Sequence, residues 1–114
     1  MEAFLKAEGK NIDAVYAHND DMAIGAIQAI EEYGLVPAKD IWIGSIDAVR
    51  DAFVPMLDKK LNVSVECTPL MGPAGFDALE AAWSSKELPD WIVNKDGVFP
   101  MSSVTQEVLD SRKY

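Results

Sequence analysis

Residues 12–35, IDAVYAHNDDMAIGAIQAIEEYGL, set an apolar run against an abrupt polar cluster and then change period. Ile12 to Ala17 is rich in β-branched and aromatic residues, with too little alternation for a half-exposed strand. That pattern predicts a strand buried on both faces. From Met22 onward, Met22, Ala23, Ala26, Ile27, Ile30 and Tyr33 recur at intervals that form the stripe of an amphipathic helix, and Gly34 supplies its stop. Between the two lie His18, Asn19, Asp20 and Asp21. Asp20 or Asp21 is expected to cap the helix, because a carboxylate accepts from the free amides of a first helical turn.

The same strand-then-helix grammar repeats downstream. Leu35-Val36-Pro37 loops into Ile41–Ile46, a second buried-strand pattern that ends on Asp47. Val49, Ala52, Phe53, Met56 and Leu57 outline the next helix. Pro55 fits there if the helix starts near Ala52, so that the proline falls in its first turn. Leu61–Val65 is a third strand, ending at Glu66. Connections this short imply parallel strands with helices on the sheet faces, an α/β class. Upstream, Ala3, Phe4 and Ala7 share one face of a helix closed by Gly9, too short to stand alone and similar to the end of a longer one.

After Glu66 the style changes. Thr68–Pro73 reads as a connector, with Pro73 opening a helix that runs to about Trp83. Leu88-Pro89-Asp90 breaks it, Trp91–Val93 reads as extended, and Asn94–Gly97 is a turn. Ser103–Lys113 reads as a closing helix, capped by Ser103 with Gln106 as its capping-box partner. Trp42, Trp83 and Trp91 have apolar neighbours and are expected in the core or an interface. Cys67 reads as an inert small hydrophobe.

Composition narrows the function classes. The chain has 114 residues, 49% of them hydrophobic, and a net charge of −9, so it suits one globular domain. Its ten basic residues are scattered, which argues against a nucleic-acid surface. A single cysteine allows no internal disulfide and no zinc-type spacing. No apolar stretch approaches the ~20 residues of a membrane span. MEAFLKAEGK is charged and helical, without the apolar centre of a signal peptide.

The informative feature is positional. Asn19, Asp47 and Glu66 each lie just past the carboxyl end of a predicted strand, and in a parallel sheet those ends share the edge where ligands bind. Asparagine donates and accepts, while carboxylates accept from hydroxyls, so the set suits a neutral polyhydroxylated ligand such as a sugar. Capping is the competing reading for Asp47. Asp20, Asp21 and Asp47 also raise a Mg²⁺-dependent receiver- or phosphatase-like domain, but no lysine follows a later strand end. His18 has no serine or cysteine partner at a recognisable motif, so it reads as an edge residue without a chemical task.

The run at residues 12–35, followed by IWIGSID at 41–47 and KKLNVSVECTPLMGP at 59–73, resembles the C-terminal part of a type I periplasmic sugar-binding protein. Its nearest flavour is that of the ribose- and galactofuranose-like solute-binding proteins of ABC importers, whose fold is shared by Lac-repressor-type effector domains. The resemblance implies part of a three-layer parallel α/β lobe, no enzymatic activity, no cofactor and no metal. It implies that Asn19 and Asp47 contact sugar hydroxyls, with Asp20 capping the helix behind Asn19. For the third ligand, counting back from Gly72 selects Glu66 and counting forward from Leu61 selects Cys67; Glu66 has the better chemistry. Ala48 stands where many members place glycine, so the turn after Asp47 is expected to differ. Residues 1–67 would be the second half of the C-terminal lobe. Residues 68–114 would be the hinge crossover, a helix of the N-terminal lobe and the return segment.

The resemblance further implies a parent that is periplasmic or extracellular, with an ABC transporter permease as its partner. The opposite lobe would precede Met1. The unpaired Phe76/Leu79/Trp83 face predicts a homo-oligomer, with the C-terminal helix exchanged between chains. An effector-binding part of a Lac-repressor-type regulator is the alternative reading.

Overall fold

A computed structural model describes residues 1–114. The chain runs α1 (Glu2–Glu8), a 3₁₀ turn (Gly9–Asn11), β1 (Ala14–Tyr16), α2 (Asp20–Glu32), β2 (Trp42–Asp47) and α3 (Arg50–Leu57). It continues through β3 (Val63–Glu66), α4 (Gly72–Trp83), β4 (Val98–Pro100), a second 3₁₀ turn (Met101–Ser103) and α5 (Gln106–Ser111). One sheet holds the strands in the order β1-β2-β3-β4. The first three are parallel, with Tyr16 opposite Gly44 and Asp47 opposite Glu66. β4 closes the sheet antiparallel to β3, pairing Val63 with Pro100. The carboxyl ends of β1, β2 and β3 therefore share one edge.

Apolar spacing explains the packing. Ala23, Ile27 and Ile30 form the buried stripe of α2, and Phe53 and Met56 that of α3. These helices touch each other and cover Ile43 and Leu61, both wholly buried. Gly34 ends α2 with φ of 86°, a conformation that costs glycine little, and the Leu35 amide donates back to the Ile30 carbonyl at 3.1 Å. Leu109 of α5 is buried as that helix docks on α3, and the Phe53 ring meets Phe99 of β4 edge-on at 5.1 Å.

Several expectations are corrected. The strands are not buried on both faces: Tyr16, Trp42 and Val65 are 63%, 48% and 37% exposed, because no helix of this chain covers that side. Trp42 lies flat there instead, and a Cβ at Gly44 would stand 2.8 Å from its ring. α3 begins at Arg50, which puts Pro55 in its interior rather than its first turn. The hydrogen bond that proline forfeits is to the carbonyl of Asp51, an exposed residue that water can serve. α5 is capped by Thr105, whose side chain accepts from the Val108 amide at 3.3 Å, while Ser103 Oγ donates to the Pro100 carbonyl. β4 has no strong signal in the sequence, being three residues at a sheet edge with a proline among them.

Helix α4 stands away from the rest of the chain. No residue of α4 is buried, and Phe76, Leu79 and Trp83 are 74%, 58% and 87% exposed. Trp91 is likewise exposed, so Trp83 and Trp91 lie outside the core. The radius of gyration is 18.1 Å, against about 13 Å for a compact chain of this length.

Candidate functional site

At the carboxyl edge of the sheet, Asn19 rather than an aspartate caps α2. Its Oδ1 accepts from the Met22 amide at 2.8 Å, which leaves the side-chain amide donors for other partners. Asp20 is the first residue of the helix and turns inward, with 1% of its surface exposed. Its Oδ1 accepts from the hydroxyls of Ser45 and Ser64, the latter at 2.8 Å, and its Oδ2 accepts from the Val49 amide at 2.8 Å. The expected capping role of Asp20 is thus overturned. Asn19 already satisfies the helix end, and the buried serine hydroxyls of β2 and β3 need an acceptor more than the helix needs a second cap.

Asp47 ends β2 in an unusual backbone. Its φ is 112° and that of Ala48 is 54°, two consecutive non-glycine residues in the left-handed half of conformational space. Ala48 adopts this turn although it carries a Cβ. Four hydrogen bonds hold the turn. The Cys67 amide donates to the Asp47 carbonyl, the Ala48 amide donates to Ser64 Oγ at 3.0 Å, the Ala48 carbonyl accepts from Arg112, and the Val49 amide donates to Asp20. Asp47 caps nothing, since the residue before α3 is Val49. Burial, and then the negative charges of Asp20 and Asp21, push the Asp47 carboxyl above its ordinary 3.8. Its proximity to both aspartates places the start of α2 and the end of β2 side by side.

Glu66 stands opposite Asp47 on the neighbouring strand, and its acceptors are largely engaged. Oε1 accepts from Arg112 Nη2 at 2.7 Å and from the Tyr114 hydroxyl, and Oε2 accepts from the Gly97 amide at 2.9 Å. The Tyr114 hydrogen bond, followed by those from Arg112 and Gly97, outweighs burial and holds this carboxyl below the ordinary 4.5. The Arg112 guanidinium is packed among the rings of Phe53, Phe99 and Tyr114 at 4.7–5.2 Å. A carboxylate has about four acceptor positions, so Glu66 keeps one, on Oε2.

The carboxylates do not converge as a metal cage: Asp20 points into the core, and no group of three or more His, Cys, Asp or Glu side chains is placed to hold a metal ion. Cys67 is exposed beside Glu66 rather than buried as a small hydrophobe. The largest cavity, about 770 Å³, lies elsewhere, between α1, the free edge of β1 and α2. Phe4, Val15, Tyr16, His18 and Met22 line it, and Asn19, Asp47 and Glu66 do not. Arg112 and Tyr114 escaped the sequence reading, since nothing local marks a C-terminal segment that folds back. The Asp20 network did leave a signal: Ser45 and Ser64 are polar residues inside apolar strands, and buried hydroxyls require partners.

Comparisons with known proteins agree with this fold. No protein-family model matches the chain. It is 49% identical over 115 residues to the galactofuranose-binding protein YtfQ of Escherichia coli K12, across 99% of this chain and 36% of that protein. It is 37% identical over 89 residues to the ribose import binding protein RbsB of Bacillus subtilis 168, across 77% of this chain and 28% of that one. The crystal structure of a galactofuranose binding protein superposes with a TM-score of 0.87 at 49% identity, over 98% of this chain and 38% of that one. The periplasmic binding protein of the arabinose ABC transporter from Shewanella sp. ANA-3, bound to L-arabinofuranose, superposes at 0.86 with 41% identity, over 98% and 37%. The chain therefore spans about a third of the length of the relatives it matches. By sequence and by fold, it is a relative of the type I periplasmic sugar-binding proteins and corresponds to about a third of one.

Proposed function

We propose that this chain supplies one jaw of a sugar-binding site in a solute-binding protein of an ABC importer. It does no enzymatic chemistry, and the importer's permease is the partner of the whole protein. The single observation that carries the reading is the juxtaposition of Asn19, Asp47 and Glu66 at one parallel-sheet edge, two of them paired across adjacent strands. Asn19 donates through its free amide, Asp47 accepts from a hydroxyl pair, and Glu66 offers the acceptor position that Arg112, Tyr114 and Gly97 leave unused. The relatives' names support a sugar, and the furanose binders among them favour a five-membered ring.

A sugar held on an open edge keeps most of its hydration, and enclosure between two lobes is what makes such sites tight. The expected affinity of this chain alone is therefore millimolar or weaker. Calorimetric titration with galactofuranose, arabinose and ribose tests this, and micromolar binding to the isolated chain would overturn it. In the same reading, residues 1–67 belong to the C-terminal lobe and residues 68–114 hold the hinge crossover, a helix of the opposite lobe and the return segment. The lack of any buried residue in α4 supports that division.

The exposed Phe76, Leu79 and Trp83 also favour self-association of this chain. Exchange of the C-terminal helix is not part of the proposal, because α5 docks on α3 of its own chain. Light scattering that gives a monomer across a wide concentration range would refute self-association.

A further inference from the structure

The buried carboxylate of Asp20 has no task in capping or in ligand contact, yet it is ionisable, shielded from water and close to a second carboxylate. Helix α2 is already capped by Asn19, so an acid here is not needed to start the helix. What Asp20 does touch is informative. It reaches Ser45 in β2, Ser64 in β3 and the Val49 amide at the start of α3, and Ser64 in turn accepts from the Ala48 amide. These contacts bracket the left-handed pair Asp47–Ala48 on its amide side, while Arg112 holds the Ala48 carbonyl from the other. We propose that Asp20 is a positioning residue for Asp47, locking the turn that presents the Asp47 carboxylate at the ligand edge. The inference rests on reading Asp47 as a ligand contact. Strained backbone persists only where its surroundings over-determine it, and Asp20 is the one acceptor that joins both neighbouring strands to this turn.

The charged groups around the Asp47–Ala48 turn are Asp20 and Asp21 from α2, Glu66 opposite on β3, and Arg112 after α5, whose guanidinium donates to the Ala48 carbonyl and to Glu66. The test uses the full chain, isotope-labelled, with amide exchange and the carboxyl titration of Asp47 read by NMR. In Asp20→Ala, exchange of the Val49 amide should accelerate about tenfold or more relative to Ile30 in α2, and the Asp47 midpoint should move down towards its ordinary value. Asp20→Asn keeps an acceptor without the charge, so it should restore the Val49 protection while leaving the midpoint lowered. Should Asp20→Ala fail to fold, Ser64→Ala removes the acceptor of the Ala48 amide, and that amide should accelerate selectively. The proposal is overturned if Ala48 and Val49 stay within roughly twofold of the parent, or if all amides accelerate together. No sugar enters these readouts, so failure of the binding reading would leave them unchanged.

Discussion

Removing the Glu66 side chain should take away a large share of this protein's stability. The carboxylate accepts three hydrogen bonds, two of them from the segment that follows α5, and with Arg112 it forms a pair whose side chains are 15% and 10% exposed. Glu66→Ala would leave the guanidinium with the Ala48 carbonyl and three aromatic rings but no counter-charge. Breaking one side of a largely buried pair costs about 3–5 kcal/mol, whereas a surface pair is worth about 0–1 kcal/mol. Against a typical total of about 5–15 kcal/mol, the first figure would partly unfold the chain near room temperature. Glu66→Gln keeps the shape and two acceptor positions and should cost about 1–2 kcal/mol.

The pH dependence separates the charge from the shape. The folded-state pKa of Glu66 lies below its ordinary 4.5. Its contribution is therefore complete above that value and is lost as pH falls through the lower folded-state value. Urea unfolding followed by far-ultraviolet circular dichroism, repeated from pH 7 to 3, should show this loss in the parent and a reduced loss in Glu66→Gln. A Glu66→Ala variant within about 0.5 kcal/mol of the parent at pH 7 would refute the reasoning, since that is what a solvated surface contact would give.

Three further outcomes are expected. Trp83→Ala and Phe76→Ala, both at exposed positions, should leave the urea midpoint nearly unchanged while lowering the average mass measured by light scattering. Lys59 is exposed with φ of 60°, so Lys59→Gly should relieve left-handed strain without loss of packing and stabilise the chain by about 0.5–1 kcal/mol in the same urea assay. Asp21→Asn removes one of the charges that raise the Asp47 carboxyl, so the NMR midpoint of Asp47 should fall. Because an acid with a raised folded-state pKa is destabilising once ionised, that variant should also gain stability at neutral pH.

Short apolar runs that stop on polar residues located the three parallel strands and the polar edge, and apolar spacing of three and four located the helices between them. The C-terminal end of α2 at Gly34 was legible for the same reason, whereas its start, at Asp20 behind an Asn19 cap, was not. Nor was the division of labour within Asn19-Asp20-Asp21. Either kind of side chain caps a helix well, and only the presence of Ser45 and Ser64 beneath Asp20 decides which one turns inward. β4, the Arg112–Tyr114 segment on Glu66 and the uncovered face of the sheet were likewise hidden. Each depends on residues far apart in sequence meeting, or failing to meet, in space: Arg112 lies 46 positions from the carboxylate it pairs with. Local chemistry thus set the elements and the polar edge of the sheet. Long-range packing set which polar groups at that edge stay free, because a buried donor or acceptor is satisfied by whatever the fold brings within reach.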